Sequence, residues 1–341
     1  MMTPVAGTQQ GSAAAFRAIQ RQLSVALEHA GPHGDPGAPS LESQRLAPAD
    51  PPRLARAAPI EGTAIARREI PGDPEVGFSA FLDGIQISRI VLHDEAIPVV
   101  HGAVGAVIRE RIDRRLATWE FTTEGRLYAP RAFLSAAANA ALAGAAAEIV
   151  DTTPHKSGGE VDEDGRHPLS LADVAVNAAQ SHRETLEIRL AESWIETRSE
   201  PLYVDGGISG STLLATSDTA VGIIKSHRTL YGDAAAVRTI LTLAAGERST
   251  LFAVASPNGW RSTVASWYLR LRNGGDPLWG LVRVEIRMPT DAERTVFTAR
   301  ADQISRWILA EASPLALPDG RWDTLAYGIR DCEQFLRSLL R

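Results

Sequence analysis

Three apolar segments follow one another between Ser79 and Ile108 with scarcely a break, and no other stretch constrains the fold so tightly. Ser79-Ala-Phe-Leu-Asp-Gly84 closes on Asp-Gly, Ile85-Gln-Ile-Ser-Arg-Ile-Val-Leu92 follows at once, and a third segment runs from Ala96 to Ile108. Apolar runs joined this tightly predict successive strands, the opening of a meander. Ala117-Thr-Trp-Glu-Phe-Thr-Thr123 extends it with a fourth.

Helices enter further on. Residues 132–149 are rich in alanine and predict a helix, whereas Thr152 to Pro168 is polar and glycine-rich and predicts a loop. The acidic cluster in that loop, Glu160, Asp162, Glu163 and Asp164, lacks the side-chain spacing of a calcium loop and reads as solvated. Ser170 opens a long helix, with Asp173 three residues on as an acidic variant of a capping box, that runs to about Thr197. Leu202-Tyr-Val-Asp-Gly206 repeats the device of an apolar run closing on Asp-Gly, and Thr219 to Lys225 is a further strand. After a helix at 233–245 come strands at 251–255, 264–272 and 279–288, and helices at 290–313 and 321–340 finish the chain. Tyr268, Arg270 and Arg272 alternate with Trp267, Leu269 and Leu271, a period of two that marks one buried and one polar face. Strands first, then helices interspersed with strands, predict an α/β fold: a mixed sheet flanked by helices.

Composition shifts at Val76. Ten of the twenty prolines fall within the first 74 residues, and Phe16 is the only aromatic before Phe78. Residues 1–75 therefore read as a partly flexible N-terminal extension of helix and Pro/Gly-rich linker. One domain over 76–341 follows, with a helical and loop insertion around 130–170. Phe16, Ile19, Leu23 and Leu27 follow helical spacing, so residues 12–29 form an amphipathic helix that must dock, on its own chain or on a partner subunit. No apolar run approaches the ~20 residues that cross a bilayer, and the start lacks a basic-then-apolar leader. A soluble cytoplasmic protein that makes no use of a membrane is expected.

Several chemistries lose support by counting. The lone Cys332 excludes an internal disulfide and a cysteine-based zinc site. Gly222-Ile-Ile-Lys225-Ser226 has the Lys-Ser of a phosphate loop, but Ile224 stands where glycine should precede the lysine. Gly206-Gly-Ile-Ser-Gly210 would need glycine at Ser211 to form a nucleophile elbow. None of the eight histidines lies in HExxH, and no GxGxxG follows a strand.

What remains is carboxylate chemistry. An aspartate at a strand end among hydrophobic residues is partly desolvated, which is costly unless a cation or hydrogen bonds compensate. A following glycine admits close approach of backbone or ligand. If the strands that end at Asp83 and Asp205 share one sheet, the two carboxylates converge and favour a divalent cation; each Asp-Gly alone could equally mark a turn. On the long helix Leu186, Leu190 and Trp194 form the buried stripe, and Glu187 sits beside it, with Glu184 one turn earlier as second choice. Only two of the 35 basic residues are lysines, Lys156 in the polar loop and Lys225 at a strand end.

The formal net charge of −6 disfavours a protein that coats nucleic acid by bulk charge but permits a local basic groove. Between Trp260 and Arg287, five arginines (261, 270, 272, 283 and 287) stand against Asp276 and Glu285, a local +3. Arg261, Arg270, Arg272, Trp260 and Tyr268 could contact phosphates and stack bases of a single strand; a solvated strand face is the alternative.

Together, FLDG (81–84), RETLE (183–187), LYVDGGISG (202–210), VGIIKSH (221–227) and WYLRL…WGLVRVE (267–285) resemble the NurA nuclease family, whose fold is RNase H-like and related to the Piwi nuclease domain. The resemblance implies that Asp83 and Asp205 are metal-binding strand aspartates, Glu187 the helix glutamate, and Lys225 the strand lysine that meets phosphate. The family's last motif, an aromatic-proline segment leading to His or Asp on the final helix, falls on Trp322 to Asp331 without proline or histidine. Asp331 takes the fourth ligand position, with Asp323 as its substitute.

By the same resemblance the chain is a metal-dependent deoxyribonuclease using two manganese or magnesium ions, roughly 4 Å apart, for in-line phosphodiester hydrolysis. The family implies 5′–3′ exonuclease activity, single-strand endonuclease activity, or both. It also implies a homodimer that works on DNA with a hexameric HerA-type translocase ATPase, in end processing for repair or in phage defence. Lacking a P-loop, the chain would take ATP-driven motion from such a partner. A catalytically inactive RNase H-like module that binds DNA or an ATPase is the reading from another class, and an RNA-directed nuclease of the same fold is a third.

Overall fold

The computed structural model describes residues 12–27, 34–35, 37–44, 51–113, 115–156, 159–162, 165–255, 262–312 and 326–340. Helices α1 (Ser12–Ala26) and α2 (Leu41–Gln44) and short strands β1 (Arg53–Ala55), β2 (Ala58–Pro59) and β3 (Arg67–Glu69) precede a long meander, β4 (Ala80–Asp94), β5 (Ile97–Ile112) and β6 (Arg115–Ala129). Helix α3 (Ala136–Ala143) and β7 (Glu148–Asp151) lead to the 30-residue α4 (Pro168–Thr197). Then come β8 (Leu202–Asp205), α5 (Thr212–Thr216), β9 (Ala220–Ile224), β10 (Thr229–Tyr231) and α6 (Ala234–Leu241). Strands β11 (Glu247–Ser249), β12 (Phe252–Val254), β13 (Val264–Arg270) and β14 (Leu281–Arg287) are followed by α7 (Arg294–Glu311) and α8 (Tyr327–Leu339).

The meander is less interrupted than its sequence suggests. Asp83 and Gly84 do not end a strand: they pair with Val107 and Ala106 of β5, and β4 runs on to Asp94 with one bulge between Ile90 and Leu92. Continuous pairing with β5 outweighs the turn preference of Asp-Gly. On its other edge β4 meets β8 in parallel, but only over Ala80–Leu82, so from Asp83 onward no described strand covers that edge. β9 lies parallel to β8, and β14 antiparallel to β9. The order β6-β5-β4-β8-β9, antiparallel through the first three strands and parallel through the last three, is the expected RNase H-like sheet. β14, β13, β12 and β2 widen it on one side and β7 on the other.

Helices cover both faces. Leu171, Ala175, Ala179, His182, Leu186, Leu190 and Trp194 form the buried stripe of α4 at three- and four-residue spacing. The helix starts ahead of the predicted Ser170, at Pro168, because the His167 side chain accepts the Leu169 N–H as the cap. Opposite, α8 rests Gly328 on Phe81, where a Cβ would come within 2.2 Å of the ring, and Cys332 donates its thiol to the Phe81 carbonyl at 3.4 Å.

The front end is built into the fold. Phe16, Ile19 and Leu23 of α1, with Leu27 just beyond it, are buried against Val91, Leu92, Val99, Leu127 and Leu142, so the amphipathic helix docks on its own chain. Where composition reads as linker, β1 and β2 pair with β10 and β12, and β3, further along, pairs with β11. The helix expected over 132–149 divides into α3 and the strand β7, which pairs with β6. No described helix is long and apolar enough to cross a membrane.

Candidate active site

Three strands converge where β4 loses β8 as a neighbour. Asp83 lies on β4, Asp205 ends β8, and Lys225 follows β9 and donates from Nζ to Asp205 Oδ2 over 2.8 Å. Gly206 takes φ +144°, a region open to glycine because it has no Cβ. The turn it makes is held from β14: the Ile208 N–H donates to Glu285 Oε2 at 3.0 Å, and Arg283 Nη1 donates to the other Glu285 oxygen at 2.6 Å. A Cβ on Gly207 would lie 2.9 Å from Glu285, so this buried carboxylate fixes the loop that follows Asp205.

Side chains alternate across a strand. Phe81 and Asp83 therefore point to the face covered by α8, and Leu82 and Gly84 to the face covered by α4. From α4, Glu187 fills the space Gly84 leaves, its Oε1 2.2 Å from where a Cβ would stand. From α8, Glu333 joins Asp83 and Asp205 in lining a cavity of about 540 Å³ that extends past Gly84 and Gln86. A smaller cavity of about 190 Å³ adjoins Glu187, Arg183, Asp205 and Gly206.

Asp83 is only 5% exposed. Its Oδ1 accepts the Gly84 N–H at 2.8 Å, while Oδ2 is buried without a hydrogen bond. Burial pushes this carboxyl well above the ordinary range; Asp205, Glu187 and Glu333 push the same way, and Lys225 opposes them. Burial likewise lifts Glu187 to about 7, with Asp205 and Glu184 adding and Arg183 opposing. Glu187 Oε1 is 3.3 Å from Arg183 Nη1, an ion pair whose geometry leaves that oxygen, too, without a hydrogen bond. Buried polar atoms are rarely left unmatched unless something further completes them.

Among the described residues, no three or more His, Cys, Asp or Glu side chains stand in metal-ligating arrangement. The carboxylates come from two faces of the sheet, and three are held by protein cations, Asp205 by Lys225, Glu187 by Arg183 and Glu333 by Arg337. The donors nevertheless suit a hard divalent cation: they are all carboxylate oxygens, two of them orphaned, and a glycine lets one of them approach the strand closely.

The other residues singled out from the sequence fall elsewhere. Asp331 lies on the β5 side of α8, where its Oδ1 accepts from Arg109 Nε at 2.6 Å. Glu333, which sequence reasoning missed, lies on the opposite flank of the buried face made by Gly328, Ile329, Cys332 and Leu336. Helical periodicity was the available signal, since position 333 is one turn from both Ile329 and Leu336. Glu184 faces outward and accepts from Gln180. Asp323 and Arg261 lie outside the described residues.

The polar face expected of β13 is buried. Tyr268 is covered, its hydroxyl accepting the Tyr231 N–H at 3.1 Å, and Arg270 is 3% exposed and donates to the carbonyls of Leu241, Leu243, Pro277 and Trp279. Arg283 pairs with Glu285, and Arg287 with Glu293 and Asp218. Arg272, just past β13, is half-buried. The arginines at 270, 283 and 287 are thus committed within the fold, which corrects the basic groove expected from Tyr268 and Arg270.

No protein-family model matches the sequence, and no curated protein matches it. Among solved structures the chain is similar to the NurA nuclease from Sulfolobus solfataricus, with 13% identity over 79% of this chain and 81% of that chain, and a TM-score of 0.42.

Proposed function

We propose that this chain is a metal-dependent deoxyribonuclease that hydrolyses phosphodiester bonds at Asp83, Glu187 and Asp205. The observation that carries this reading is the pair of buried, unmatched oxygens, Asp83 Oδ2 and Glu187 Oε1, on either side of Gly84 and next to Asp205. Asp83, Glu187, Asp205 and Glu333 would hold magnesium or manganese, and Asp331 could join only by leaving Arg109. Bound there, such ions supply Lewis-acid polarisation of a phosphoryl oxygen and a nucleophilic water at neutral pH.

The chain's own groups supply the rest. Lys225 gives its ammonium to a phosphate oxygen in exchange for Asp205, in a site where preorganised charge is worth more than in water. Arg183 has a buried Nε without a partner beside its ion pair to Glu187, and it offers that donor to the substrate once Glu187 is engaged. Gly206 and Glu285 keep Asp205 in position. Asp83 and Glu187 must both lose their protons before they can serve as ligands.

On the motif resemblance alone, the same proposal includes a homodimer and a hexameric HerA-type ATPase that feeds DNA to it. That resemblance also suggests 5′–3′ exonucleolytic or single-strand endonucleolytic cutting, in repair or phage defence. The three ion pairs, Lys225–Asp205, Arg183–Glu187 and Arg337–Glu333, favour a second reading, an RNase H-like module that binds DNA without cutting, because they offset the charge of the centre with no ion bound. Labelled single-stranded DNA, duplex DNA and RNA, incubated with manganese beside Asp83→Asn and Asp205→Asn, separate these readings. DNA cleavage lost in both variants supports the nuclease; equal residual degradation by all three proteins removes it, and preferential cleavage of RNA would reassign the substrate.

A further inference from the structure

The larger cavity does not stop at the carboxylates. It follows the uncovered edge of β4 from Asp83 past Gly84 and Gln86 to Glu42 of α2. That far end is made by a strap of residues 34–35 and 37–44 lying along the same edge. The Gly34 N–H donates to the Val91 carbonyl at 2.8 Å, and Arg89 Nε to the Ala38 carbonyl at 3.1 Å. Glu42 completes the attachment: one carboxylate oxygen accepts from Gln86 Nε2 at 3.0 Å and the other from the Ser88 N–H at 3.1 Å. A glutamate side chain thus takes the place of a neighbouring strand. Gly34 is indispensable to this seat, because a Cβ there would fall 1.6 Å from the Ile90 carbonyl oxygen.

The two ends of the cleft differ in chemistry. Near Asp83 stand Arg183 and the Lys225–Asp205 pair, which can meet phosphate, while Arg337, paired with Glu333, also lines the cleft. Toward the strap the lining is Gln86, Asn177 and Gln180, with Glu42 and Asp173 as the charges. Gln86 and Gln180 already donate to Glu42 and Glu184, so their amide oxygens and the Asn177 amide are what meet a base edge, whereas two carboxylates repel a continuing phosphate backbone. At about 540 Å³ the cavity is in the range that encloses one small ligand, ~300–1,000 Å³.

We propose that the strap closes this cleft, so that it receives the terminal nucleotide of a single strand and excludes a strand that continues beyond it. The proposal rests on the nuclease reading above and adds what the substrate must present: a free end, its base against Gln86, Asn177 and Gln180. Glu42 is a specificity-determining residue and takes no part in the cleavage step.

The test compares one single-stranded DNA sequence as a linear strand and as a covalently closed circle, using the full chain with manganese. The variants are Glu42→Ala, which removes the anchoring carboxylate, and Gly34→Val, which lifts the strap sterically. Wild type is expected to cut the linear strand about tenfold faster than the circle or more, and each variant to shrink that ratio toward one. Fluorescence anisotropy in EDTA reads the same preference without catalysis: wild type binds the linear strand more tightly than the circle, and both variants lose the difference. Equal handling of line and circle by wild type, in cleavage or in binding, overturns the strap proposal while leaving a nuclease. A protein that cuts neither substrate but prefers ends in EDTA overturns the nuclease reading and keeps the strap.

Discussion

Gly84 lies directly beneath the carboxylate of Glu187: a Cβ at position 84 would stand 2.2 Å from Oε1 and 2.9 Å from Cγ. The absence of one methyl group is what lets a glutamate on α4 reach the edge of a strand whose aspartate faces the other way. Gly84→Ala should displace Glu187 while β4 stays paired with β5. Metal-dependent cleavage is expected to fall by about tenfold or more, with a melting temperature lowered by only a few degrees, as checked by kinetics and thermal melts on the same preparation.

Asp83→Asn addresses the opposite balance. The carboxylate is buried, repelled by its neighbours and missing one hydrogen bond, so the neutral isostere should leave the metal-free protein as stable as wild type or more so. Cleavage should drop by roughly a hundredfold or more, the pattern of a site that gives up stability for function. Loss of both stability and activity would mark Asp83 as structural.

The pH dependence of stability follows from Glu187. Its folded pKa of about 7 lies above the ordinary 4.5, so the native state holds this proton more tightly than the unfolded chain does. The resulting stabilisation is full below about pH 4.5 and is lost as pH rises through about 7. Relative to Glu187→Gln, the metal-free wild type should therefore lose several degrees of melting temperature between about pH 5 and 8. Added manganese should restore it at the alkaline end, where the ligands are deprotonated.

Glu333 and Asp331 can be told apart by substitution. Glu333→Gln should weaken manganese binding, measured by calorimetry, by about tenfold. Asp331→Asn should leave manganese affinity unchanged and loosen only the contact of α8 with Arg109 on β5, a part-exposed ion pair worth about 1 kcal/mol or less.

Arg270→Met tests the correction to the basic face. Its guanidinium serves four backbone carbonyls, and leaving buried acceptors unmatched costs about 1–3 kcal/mol each. A marked fall in melting temperature is expected, with no loss of DNA affinity in the protein that remains folded at low temperature.

Much of this frame is legible in the chain itself. The apolar runs from Ser79 to Ile108, the stripe on α4 and the Leu202–Asp205 strand follow from local pattern, because each element buries one recognisable face. The failures share a physical origin in partners far away in sequence. Asp-Gly at 83–84 ends no strand because β5 pairs straight through it. The alternating arginines of β13 and β14 look solvated, yet β13 is buried along its whole length; Arg283 is matched by a carboxylate two positions along its own strand, and Arg270 by carbonyls at the end of α6 and in the loop between β13 and β14. Within residues 53–69, which have no strand pattern of their own, β2 and β3 pair with β12 and β11 of the large sheet, and β1 pairs with β10 in a separate two-stranded sheet.

The seat of α8 on β4 sets a condition on synthesis. Cys332 meets the Phe81 carbonyl across 251 positions of sequence, and Glu333 follows immediately. Until α8 is made, the cleft lacks the part of its wall that Glu333 and Arg337 supply. On the proposed function, a nascent chain that has not yet made α8 would lack Glu333 beside Asp83 and Asp205, and docking of that helix would complete the carboxylate cluster.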